Sequence, residues 1–241
     1  MKKFKKGYIH SIETMGLVDG PNIRIVIFMQ GCPLRCSFCH NPDTWTLKSN
    51  HEMTSEEVVN EIRKYRPYIE MGGGVTFSGG EPLLQSEFLL EMLKLCKKAG
   101  IHTCIDTSGT GCSVNLIDEI LKYTDLVILD IKAIEEENYK TITGLSMDMF
   151  NYFIERLKIN NNKLWLRQVI IPTINDNEEY ILKLKEYIKQ FNNVDKIELL
   201  PYHTMGIDKY KKLGIEYKLS DIQAMDKDKC KELENLLKSS I

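Results

Sequence analysis

The sequence predicts an α/β fold in which six strands alternate with helices. Short apolar runs rich in Ile, Val and Leu recur along the chain, and each is followed by a segment with apolar residues at helical spacing. No linker or low-complexity segment interrupts this alternation in the 241 residues. Such alternation is typical of parallel strands joined by right-handed helical crossovers. An open doubly wound sheet and a partial barrel share the pattern, so periodicity alone leaves both open.

The strands are predicted from apolar runs that end at glycine, proline or polar residues. The first follows glycine-rich turns over residues 7–22, which include the turn signal Val18-Asp19-Gly20-Pro21. The last two strands stop at Pro172 and Pro201. The predicted strands cover residues 23–29, 75–78, 101–107, 126–131, 164–171 and 194–200.

The helices are predicted between these strands, where apolar residues share one face. The clearest start is the capping box Thr54-Ser55-Glu56-Glu57, which precedes an apolar stripe. A second helix ends at Gly100. The predicted helices cover residues 54–65, 86–100, 116–123, 146–160 and 178–191, and a last helix carries Cys230, Leu233 and Leu237. We expect one domain over residues 1–241, with an N-terminal extension over residues 1–22 and this C-terminal helix.

Composition narrows the function classes. The net charge is −2, which argues against a nucleic-acid binder, because such proteins normally carry a basic stripe. No early segment is apolar enough for a signal peptide or a membrane span. We therefore expect a cytoplasmic protein that binds neither nucleic acid nor a membrane and whose thiols stay reduced. Three of the 7 cysteines are clustered, which indicates metal binding and not a disulfide framework.

The clustered cysteines, Cys32, Cys36 and Cys39, follow the first predicted strand with the spacing C-x3-C-x2-C. Three thiolates at this spacing can ligate three irons of a [4Fe-4S] cluster and leave the fourth iron open. Soft thiolates favour clusters or zinc, so ligand type alone does not decide between them.

Two other sites fit parts of the same stretch. Cys32, Cys36 and Cys39 with His40 could form a Cys3His zinc site in a non-catalytic binding module, although adjacent Cys39 and His40 would have difficulty ligating one tetrahedral ion. The stretch Cys36-Ser37-Phe38-Cys39-His40 also matches the C-x-x-C-H pattern of covalent haem attachment. That interpretation leaves Cys32 unexplained, and no export signal accompanies it.

Polar residues gather at the predicted strand ends. In α/β sheets and barrels the carboxyl ends of parallel strands share one rim, where ligands bind. We therefore expect one site formed by residues that are far apart in sequence. The residues at or just past strand ends are Cys32, Ser78, Gly79, Gly80, Glu81, Asp106, Asp130, Lys132, Arg167 and His203.

The combination of motifs resembles a known superfamily. C-x3-C-x2-C with Phe38 before the last cysteine resembles the radical S-adenosylmethionine (SAM) enzymes, and Gly79-Gly80-Glu81-Pro82 matches their glycine-rich strand end. Within that superfamily, further segments look like the activating enzymes of glycyl radical enzymes. These segments are Val18 to Pro21, Cys39 to Asp43, Asp106-Thr107, Leu129 to Lys132 and Leu199 to His203. Residues 206–219 are similar to the subgroup that acts on pyruvate formate-lyase. The absence of extra cysteine clusters between Cys39 and Gly79 also favours that subgroup.

This resemblance, which covers nearly the whole chain, implies a fold and a reaction. The fold is a partial (β/α)6 TIM-like barrel of the radical SAM type. A reduced [4Fe-4S] cluster cleaves SAM to methionine and a 5′-deoxyadenosyl radical, which abstracts a hydrogen from a glycine of the target enzyme. The expected partners are pyruvate formate-lyase as target and reduced flavodoxin or ferredoxin as electron donor, with the chain itself a monomer. The open alternatives are activation of a different glycyl radical enzyme, or a small-molecule radical SAM reaction such as deazapurine formation.

The resemblance also implies roles for individual residues. The radical reaction that it implies requires no general base. Cys32, Cys36 and Cys39 would ligate the cluster. The cofactor-binding residues would be Phe38, His40, Gly79, Gly80, Asp130, Ile131, Lys132, Arg167 and His203. Among these, the glycines would meet the amino group of SAM, Phe38 and His40 its adenosine side, and Arg167 a carboxylate. Asp106, Thr107 and Asp130 resemble a monovalent-cation site, and Asp19 would face the target's glycine loop.

Overall fold

The computed structural model describes residues 4–48 and 51–239 and has one sheet of eight strands in the order β3-β1-β2-β4-β5-β6-β7-β8. The strands are β1 (Lys6–Gly16), β2 (Arg24–Met29), β3 (Glu52–Thr54), β4 (Gly74–Gly79), β5 (His102–Thr107), β6 (Leu126–Asp130), β7 (Lys163–Ile170) and β8 (Val194–Pro201). The six strands from β2 onward, apart from β3, are parallel and correspond to the six predicted ones.

The strand order decides between the two architectures that periodicity left open. The parallel strands follow one another in sequence order without a reversal. A doubly wound sheet reverses direction at a switch point, whereas a barrel adds each strand on the same side. The prediction of a partial (β/α)6 barrel is therefore confirmed, with the sheet open between its first and last strands.

Two strands were not predicted. β1 pairs antiparallel with β2, and the short β3 pairs with the start of β1. β1 begins and ends in glycine-containing, largely polar sequence, so its own pattern indicated turns. Its extended conformation depends on the neighbouring strand, with Ile12 opposite Ile27. A Cβ added at Gly7 would lie 2.1 Å from the ring of Phe88, so β1 can pass this close to the helix that contains Phe88 only with glycine at position 7.

The helices cover the outside of the sheet. They are α1 (Ser55–Arg63), α2 (Arg66–Glu70), α3 (Ser86–Lys98), α4 (Ile117–Lys122), α5 (Glu136–Thr143), α6 (Asp148–Asn160), α7 (Glu178–Ile188), α8 (Ile207–Leu213) and α9 (Lys227–Lys238). α1, α3, α4, α6, α7 and α9 match the predicted helices within a few residues. α2, α5 and α8 are additions. α5 buries only Tyr139, Ile142 and Thr143 and ends at Gly144, which has a φ of 81°.

The core lies between the parallel strands and these helices. Cys96, Cys112 and Cys230 are buried in it as small apolar residues, as predicted, and Cys104 is buried in a smaller cluster with Leu126 and Ile128. All 7 cysteines lie within the described residues, and none forms a disulfide. No helix in the described part of the chain combines the length and the apolar character needed to span a membrane.

The predicted capping box at the start of α1 is present and can be tested. The Thr54 side chain accepts a hydrogen bond from the Glu57 backbone N–H at 3.2 Å, and the Glu57 carboxylate accepts one from the Thr54 N–H at 2.7 Å. We expect Thr54→Ala to lower the free energy of unfolding of the metal-free chain by about 1 kcal/mol, measured by urea denaturation. Ser113→Ala is the matched control, since Ser113 precedes a short 3-10 turn without a capping bond. Equal losses in both variants would contradict the assignment.

Candidate active site at the carboxyl ends of the strands

A pocket of about 450 Å³ lies at the carboxyl ends of the parallel strands. Strand ends and the loops that follow them form its wall. The sequence-predicted residues that line it are Asp19, Cys32, Cys36, Phe38, Cys39, His40, Gly79, Gly80, Asp106, Thr107, Asp130, Lys132, Arg167 and His203. The structure therefore gathers in one pocket residues that span most of the chain.

Ile131 is the one predicted site residue outside this lining. Its side chain is 2% exposed and belongs to the hydrophobic core. Its backbone N–H donates to the carbonyl oxygen of Arg167 at 2.8 Å and so extends the ladder between β6 and β7. Because successive residues of an extended chain face opposite sides, Asp130 and Lys132 face the pocket while Ile131 faces the core. A cofactor contact by Ile131 stays a prediction.

The cysteine loop is held from two sides by backbone hydrogen bonds. On one side the end of α5 accepts from the loop, with Arg35 N–H to Thr143 O at 2.8 Å and Ser37 N–H to Ile142 O at 2.9 Å. On the other side Gly31 N–H donates to Thr44 O at 2.7 Å. These bonds fix the loop without using any thiol. The end of α5, a helix that the sequence did not predict, therefore supports the backbone of the cysteine loop.

The three thiols are strongly desolvated. Burial raises the pKa of Cys32 to about 12 and that of Cys36 to about 11, because a thiolate in a dry site loses its hydration. Burial also raises the pKa of Cys39, and hydrogen bonds from the Asn41 backbone and the Trp45 side chain oppose this rise. A bound metal reverses the balance, since a coordinating thiol is deprotonated outright. The loop is thus a set of soft ligands for a metal centre.

Gly79 and Gly80 let the loop after β4 lie directly against the cysteine loop. A Cβ at Gly79 would lie 2.3 Å from the backbone nitrogen of Met29, and one at Gly80 would lie 2.2 Å from the carbonyl oxygen of Gly31. Gly79 also has a φ of +113°, which side chains rarely allow. Packing therefore already requires glycine at both positions. Their predicted contact with the amino group of a ligand stays a prediction.

Glu81 has a structural role that its motif did not indicate. Its side chain is buried, and it accepts hydrogen bonds from Thr107 Oγ1 at 2.6 Å, Ser108 N–H at 2.8 Å and Leu83 N–H at 3.1 Å. Burial raises the pKa of Glu81 to about 7, although these donors oppose the rise. The carboxylate joins the loop after β4 to the end of β5. It also engages the hydroxyl of Thr107, one of the predicted cation-site residues.

Lys132 and Asp130 form a half-buried ion pair in the pocket, with Nζ and Oδ2 2.7 Å apart. Burial alone would lower the pKa of Lys132, but the Asp130 carboxylate and the Cys36 thiol raise it above its ordinary value. The ammonium also lies 5.5 Å from the centre of the Phe38 ring. Lys132 therefore stays charged close to the cysteine loop.

A second group of charges lies deeper, around Arg167. Its Nε is 3.1 Å from Glu198 Oε2, and its NH1 is 4.0 Å from Asp106 Oδ2. Asp106 also accepts a hydrogen bond from Ser78 Oγ at 2.8 Å. Burial, and then the nearby Asp130 carboxylate, raise the pKa of Asp106 to about 6. Arg167 is thus partly neutralised by protein carboxylates, one of which, Glu198, the sequence did not indicate.

His40 and His203 form a stacked pair at the edge of the pocket. Their ring centres are 3.7 Å apart, the planes differ by 18°, and His40 Nε2 lies 3.0 Å from the carbonyl oxygen of His203. Burial lowers the pKa of His40, so the neutral ring is favoured. Nδ1 of His203 is buried and has no hydrogen-bond partner among the described residues. A buried polar atom of this kind is available to a molecule that binds in the pocket.

Asp19 belongs to a segment held by its backbone carbonyls. The hydroxyl of Thr76 donates to Asp19 O at 2.6 Å, and the guanidinium of Arg167 donates to Val18 O. Burial raises the pKa of the Asp19 carboxyl. The two carbonyl contacts leave this carboxyl free to face the pocket, while Leu17 and Val18 point to solvent.

Sequence reasoning assigned no role to several lining residues. Ser78 and Glu81 lie at or just past a predicted strand end, so the sequence places them at the site without assigning them a contact. Leu200 and Pro201 lie at another predicted strand end, so position alone could have indicated them. The others, Phe28, Leu34, Asn41, Ser108 and Val169, become neighbours of the site only through the loop and barrel geometry.

Comparison with known proteins places the chain in a family. The sequence model of the Radical SAM superfamily matches residues 26–185. The chain is 56% identical over 233 residues to the pyruvate formate-lyase-activating enzyme of Clostridium pasteurianum, covering 96% of this chain and 97% of that protein. It is 46% identical to the protein of the same name from Staphylococcus epidermidis, covering 94% of this chain and 93% of the relative. The chain belongs to the radical SAM superfamily, in the family of pyruvate formate-lyase-activating enzymes.

Solved structures agree with this fold. A domain of a pyruvate-formate lyase-activating enzyme from Bacteroides vulgatus superposes with a TM-score of 0.55 at 26% identity, covering 68% of this chain and 92% of that one. Streptococcus suis SuiB bound to S-adenosylmethionine superposes with a TM-score of 0.60 at 18% identity, covering 86% of this chain and 44% of that one. The second likeness supports the radical SAM fold alone.

The radical SAM cofactors are a [4Fe-4S] cluster and S-adenosylmethionine. The residues present fit both groups. Three thiols from one loop face the pocket, and each can ligate a different iron. The ion pair of Asp130 and Lys132 and the unpartnered Nδ1 of His203 offer donors and acceptors for an amino-acid zwitterion and a nucleoside. A volume of about 450 Å³ lies within the range of small-molecule sites.

The donor geometry differs from that of a mononuclear zinc site. Within residues 4–48 and 51–239, no group of three His, Cys, Asp or Glu side chains is arranged to hold a single metal ion. Thiolates that bind separate irons of a cluster do not have to converge on one point. His40 stacks on His203 instead of completing a Cys3His set. Superfamily membership and this arrangement together favour the cluster over the zinc module.

The buried carboxyl of Glu81 should make the stability of the metal-free chain depend on pH. Its pKa of about 7 in the folded state exceeds the unfolded value, about 4.3, so between these values only the folded chain holds the proton. The free energy of unfolding should therefore fall as pH rises from 5 to 7, by at most about 1.4 kcal/mol per pH unit for this group. Glu81→Gln should reduce that slope in urea denaturation series. The exposed Glu216→Gln should keep it, and an unchanged slope in Glu81→Gln would contradict the assignment.

Proposed function

We propose that this chain activates pyruvate formate-lyase by generating a glycyl radical on it. The observation that carries the proposal is the pocket in which three cysteine thiols, paired charges and an unpartnered histidine nitrogen meet, in a chain that matches named activating enzymes over nearly its whole length. When bound, the reduced cluster and SAM supply a 5′-deoxyadenosyl radical that removes a hydrogen atom from a glycine of the target. The protein residues bind, orient and exclude water.

The cysteine loop would hold the cluster. Cys32, Cys36 and Cys39 would each ligate one iron, and an iron without a protein ligand would be available to SAM. The backbone bonds from α5 and from the chain after the cysteines hold the loop in place before any metal binds. Such preorganisation keeps the ligands aligned on one side of the pocket.

The polar residues would hold the methionine and ribose parts of SAM. Its carboxylate meets the cations of Lys132 and Arg167, and its amino group meets the backbone at Gly79 and Gly80. Asp130, Ile131 and His203 complete these contacts, and His203 gains the partner that its Nδ1 lacks. Phe38 and His40 offer flat, largely buried surfaces to the adenosine, where base stacking excludes water.

Two further roles complete the proposal. Asp106, Thr107 and Asp130 would bind a monovalent cation, because two carboxylates and a hydroxyl lie around the same part of the pocket. Burial, and then the nearby Asp130 carboxylate, raise the pKa of Asp106, and a bound cation would relieve the repulsion between these two carboxylates. Asp19 would contact the target's glycine loop.

We also propose reduced flavodoxin or ferredoxin as electron donor, a monomeric chain, a single domain over residues 1–241 and a cytoplasmic location.

The proposed function can be tested by electron paramagnetic resonance. The anaerobically reconstituted chain, reduced and mixed with SAM and pyruvate formate-lyase, should produce a glycyl radical on the target. Cys36→Ala should remain folded but lose cluster iron and all radical formation, because ligation and not packing is removed. Cys230→Ala, which removes a buried thiol on α9, should retain both. Cluster formation and SAM cleavage without a radical on this target would point to a different glycyl radical enzyme.

The role of Asp19 leads to a separate prediction. Asp19→Asn should raise the KM for the target about tenfold, the effect of losing about 1.4 kcal/mol of contact energy. SAM cleavage measured without target should stay at the level of the unmodified chain, since the role proposed for Asp19 is contact with the target and not with SAM. Glu13→Gln, which changes an exposed carboxylate on β1, is the matched control. An unchanged KM in Asp19→Asn would refute the assignment.

A further inference from the structure

The segment after β8 contributes a helix that packs on the cysteine loop. α8 lies outside residues 26–185, the part of the chain that the superfamily model matches. Its Lys209 Nζ lies 2.7 Å from Asn41 Oδ1 and 3.2 Å from Asp43 Oδ1, just after the cysteines. A Cβ at Gly206 would lie 3.0 Å from the Cα of His40. The helix is therefore in close contact with the loop that holds the cluster.

α8 carries Tyr210, whose hydroxyl is buried beside the cysteines. The side chain is 2% exposed, and its ring packs edge-on against Trp45 at 5.7 Å and Tyr217 at 4.7 Å. Its hydroxyl has no hydrogen-bond partner among the described residues. Among the described residues, Tyr210 thus offers an unused donor on the helix that packs on the cysteine loop.

Tyr139 is in an equivalent situation on the other side of the loop. It lies on α5, the helix whose end accepts hydrogen bonds from the backbone of Arg35 and Ser37. Its side chain is fully buried and stacks on Phe150 at 5.6 Å, and its hydroxyl also has no partner among the described residues. Two buried phenols therefore lie on two helices that contact the cysteine loop, α5 and α8.

The electrostatic environment links both phenols to the same thiols. Burial raises the pKa of Tyr210, and the Cys39 and Cys36 thiols raise it further. Burial raises the pKa of Tyr139, and the next contribution comes from Cys36. A buried hydroxyl without an acceptor carries its full desolvation penalty. Sulfur atoms of a cluster bound at Cys36 and Cys39 are the acceptors that this part of the site would gain.

We propose that the hydroxyls of Tyr139 and Tyr210 donate hydrogen bonds to sulfur atoms of the cluster and make it easier to reduce. A donor to sulfur stabilises negative charge, and reduction adds one electron to the cluster. The reduction potential therefore rises when the donors are present. The inference rests on the [4Fe-4S] cluster of the proposed function and adds two tyrosines that control its potential.

The test compares Tyr139→Phe, Tyr210→Phe and the double variant with the unmodified chain. Each change removes only a hydroxyl. The cluster is reconstituted anaerobically, its iron content is measured, and its midpoint potential is determined by a redox titration followed by electron paramagnetic resonance, without SAM or target. We expect the midpoint potential of the double variant to be more negative than that of the unmodified chain. At the midpoint potential of the unmodified chain, the ratio of reduced to oxidised cluster in the double variant should be about tenfold lower. For a one-electron couple this ratio corresponds to about 59 mV.

Tyr180→Phe is the matched control. The hydroxyl of Tyr180 accepts a hydrogen bond from Gln168 Nε2. Tyr180 lies on α7, a helix that packs against α9. This variant should keep the potential unchanged but lower the melting temperature of the metal-free chain, because it loses a satisfied bond. Tyr139→Phe and Tyr210→Phe should not lower that temperature, because neither hydroxyl has a hydrogen-bond partner among the described residues of the metal-free chain.

Two results would overturn the proposal. One is a double variant with full iron content and the potential of the unmodified chain. The other is a metal-free double variant destabilised as much as Tyr180→Phe, which would mean that the hydroxyls bond to protein groups. If the unmodified chain itself assembles no four-iron cluster, the proposed function fails, and the redox titration distinguishes that case before any variant is compared.

Discussion

The site depends on a contact between the ends of β2 and β4 that continues beyond the strands. Gly80 N–H donates to Met29 O at 2.9 Å, and Glu81 N–H donates to Gly31 O at 2.8 Å. The two loops therefore leave the sheet side by side, with no room for a side chain between them. Because the cysteines follow Gly31 directly, their position relative to the barrel is determined by backbone hydrogen bonds. The carboxylate of Glu81 extends the same layer to the end of β5.

Charge burial is the second constraint on the pocket. Asp106 and the three thiols are all disfavoured as anions by desolvation, while Lys132 and Arg167 keep their charge through neighbouring carboxylates. Buried charges are tolerated only when they are paired or hydrogen-bonded. A metal centre at the thiols and an amino-acid zwitterion beside the ion pairs would supply the missing counter-charges. The geometry of the apo chain is thus already that of a binding site.

Segments toward both ends of the chain add residues to the pocket that lies at the ends of the parallel strands. Asp19 enters the pocket because Thr76 and Arg167 hold the backbone beside it. His203 follows β8, and α8 then packs against the cysteine loop. Asp19, His203 and α8 all lie outside residues 26–185, the part that the superfamily model matches. The part of the chain that the superfamily model matches carries the three cysteines, and the outer segments add Asp19, His203 and the packing of α8 to the site.

The sequence by itself determined the six parallel strands, the cluster motif and nearly all of the site. The order of the parallel strands can be predicted from the sequence, because each of them pairs with the next one along the chain. The carboxyl ends of parallel strands also lie at one rim, whichever residues they carry. Spacing in sequence could therefore identify Cys32, Asp130 and Lys132. Tertiary structure alone decided β1 and α5, whose stability comes from their neighbours and not from their own pattern. It alone also decided the bonds of Glu81, the partner of Arg167 at Glu198 and the unpartnered hydroxyls of the tyrosines. Whether a buried polar group finds a partner depends on contacts across the fold, which no periodicity along the chain records.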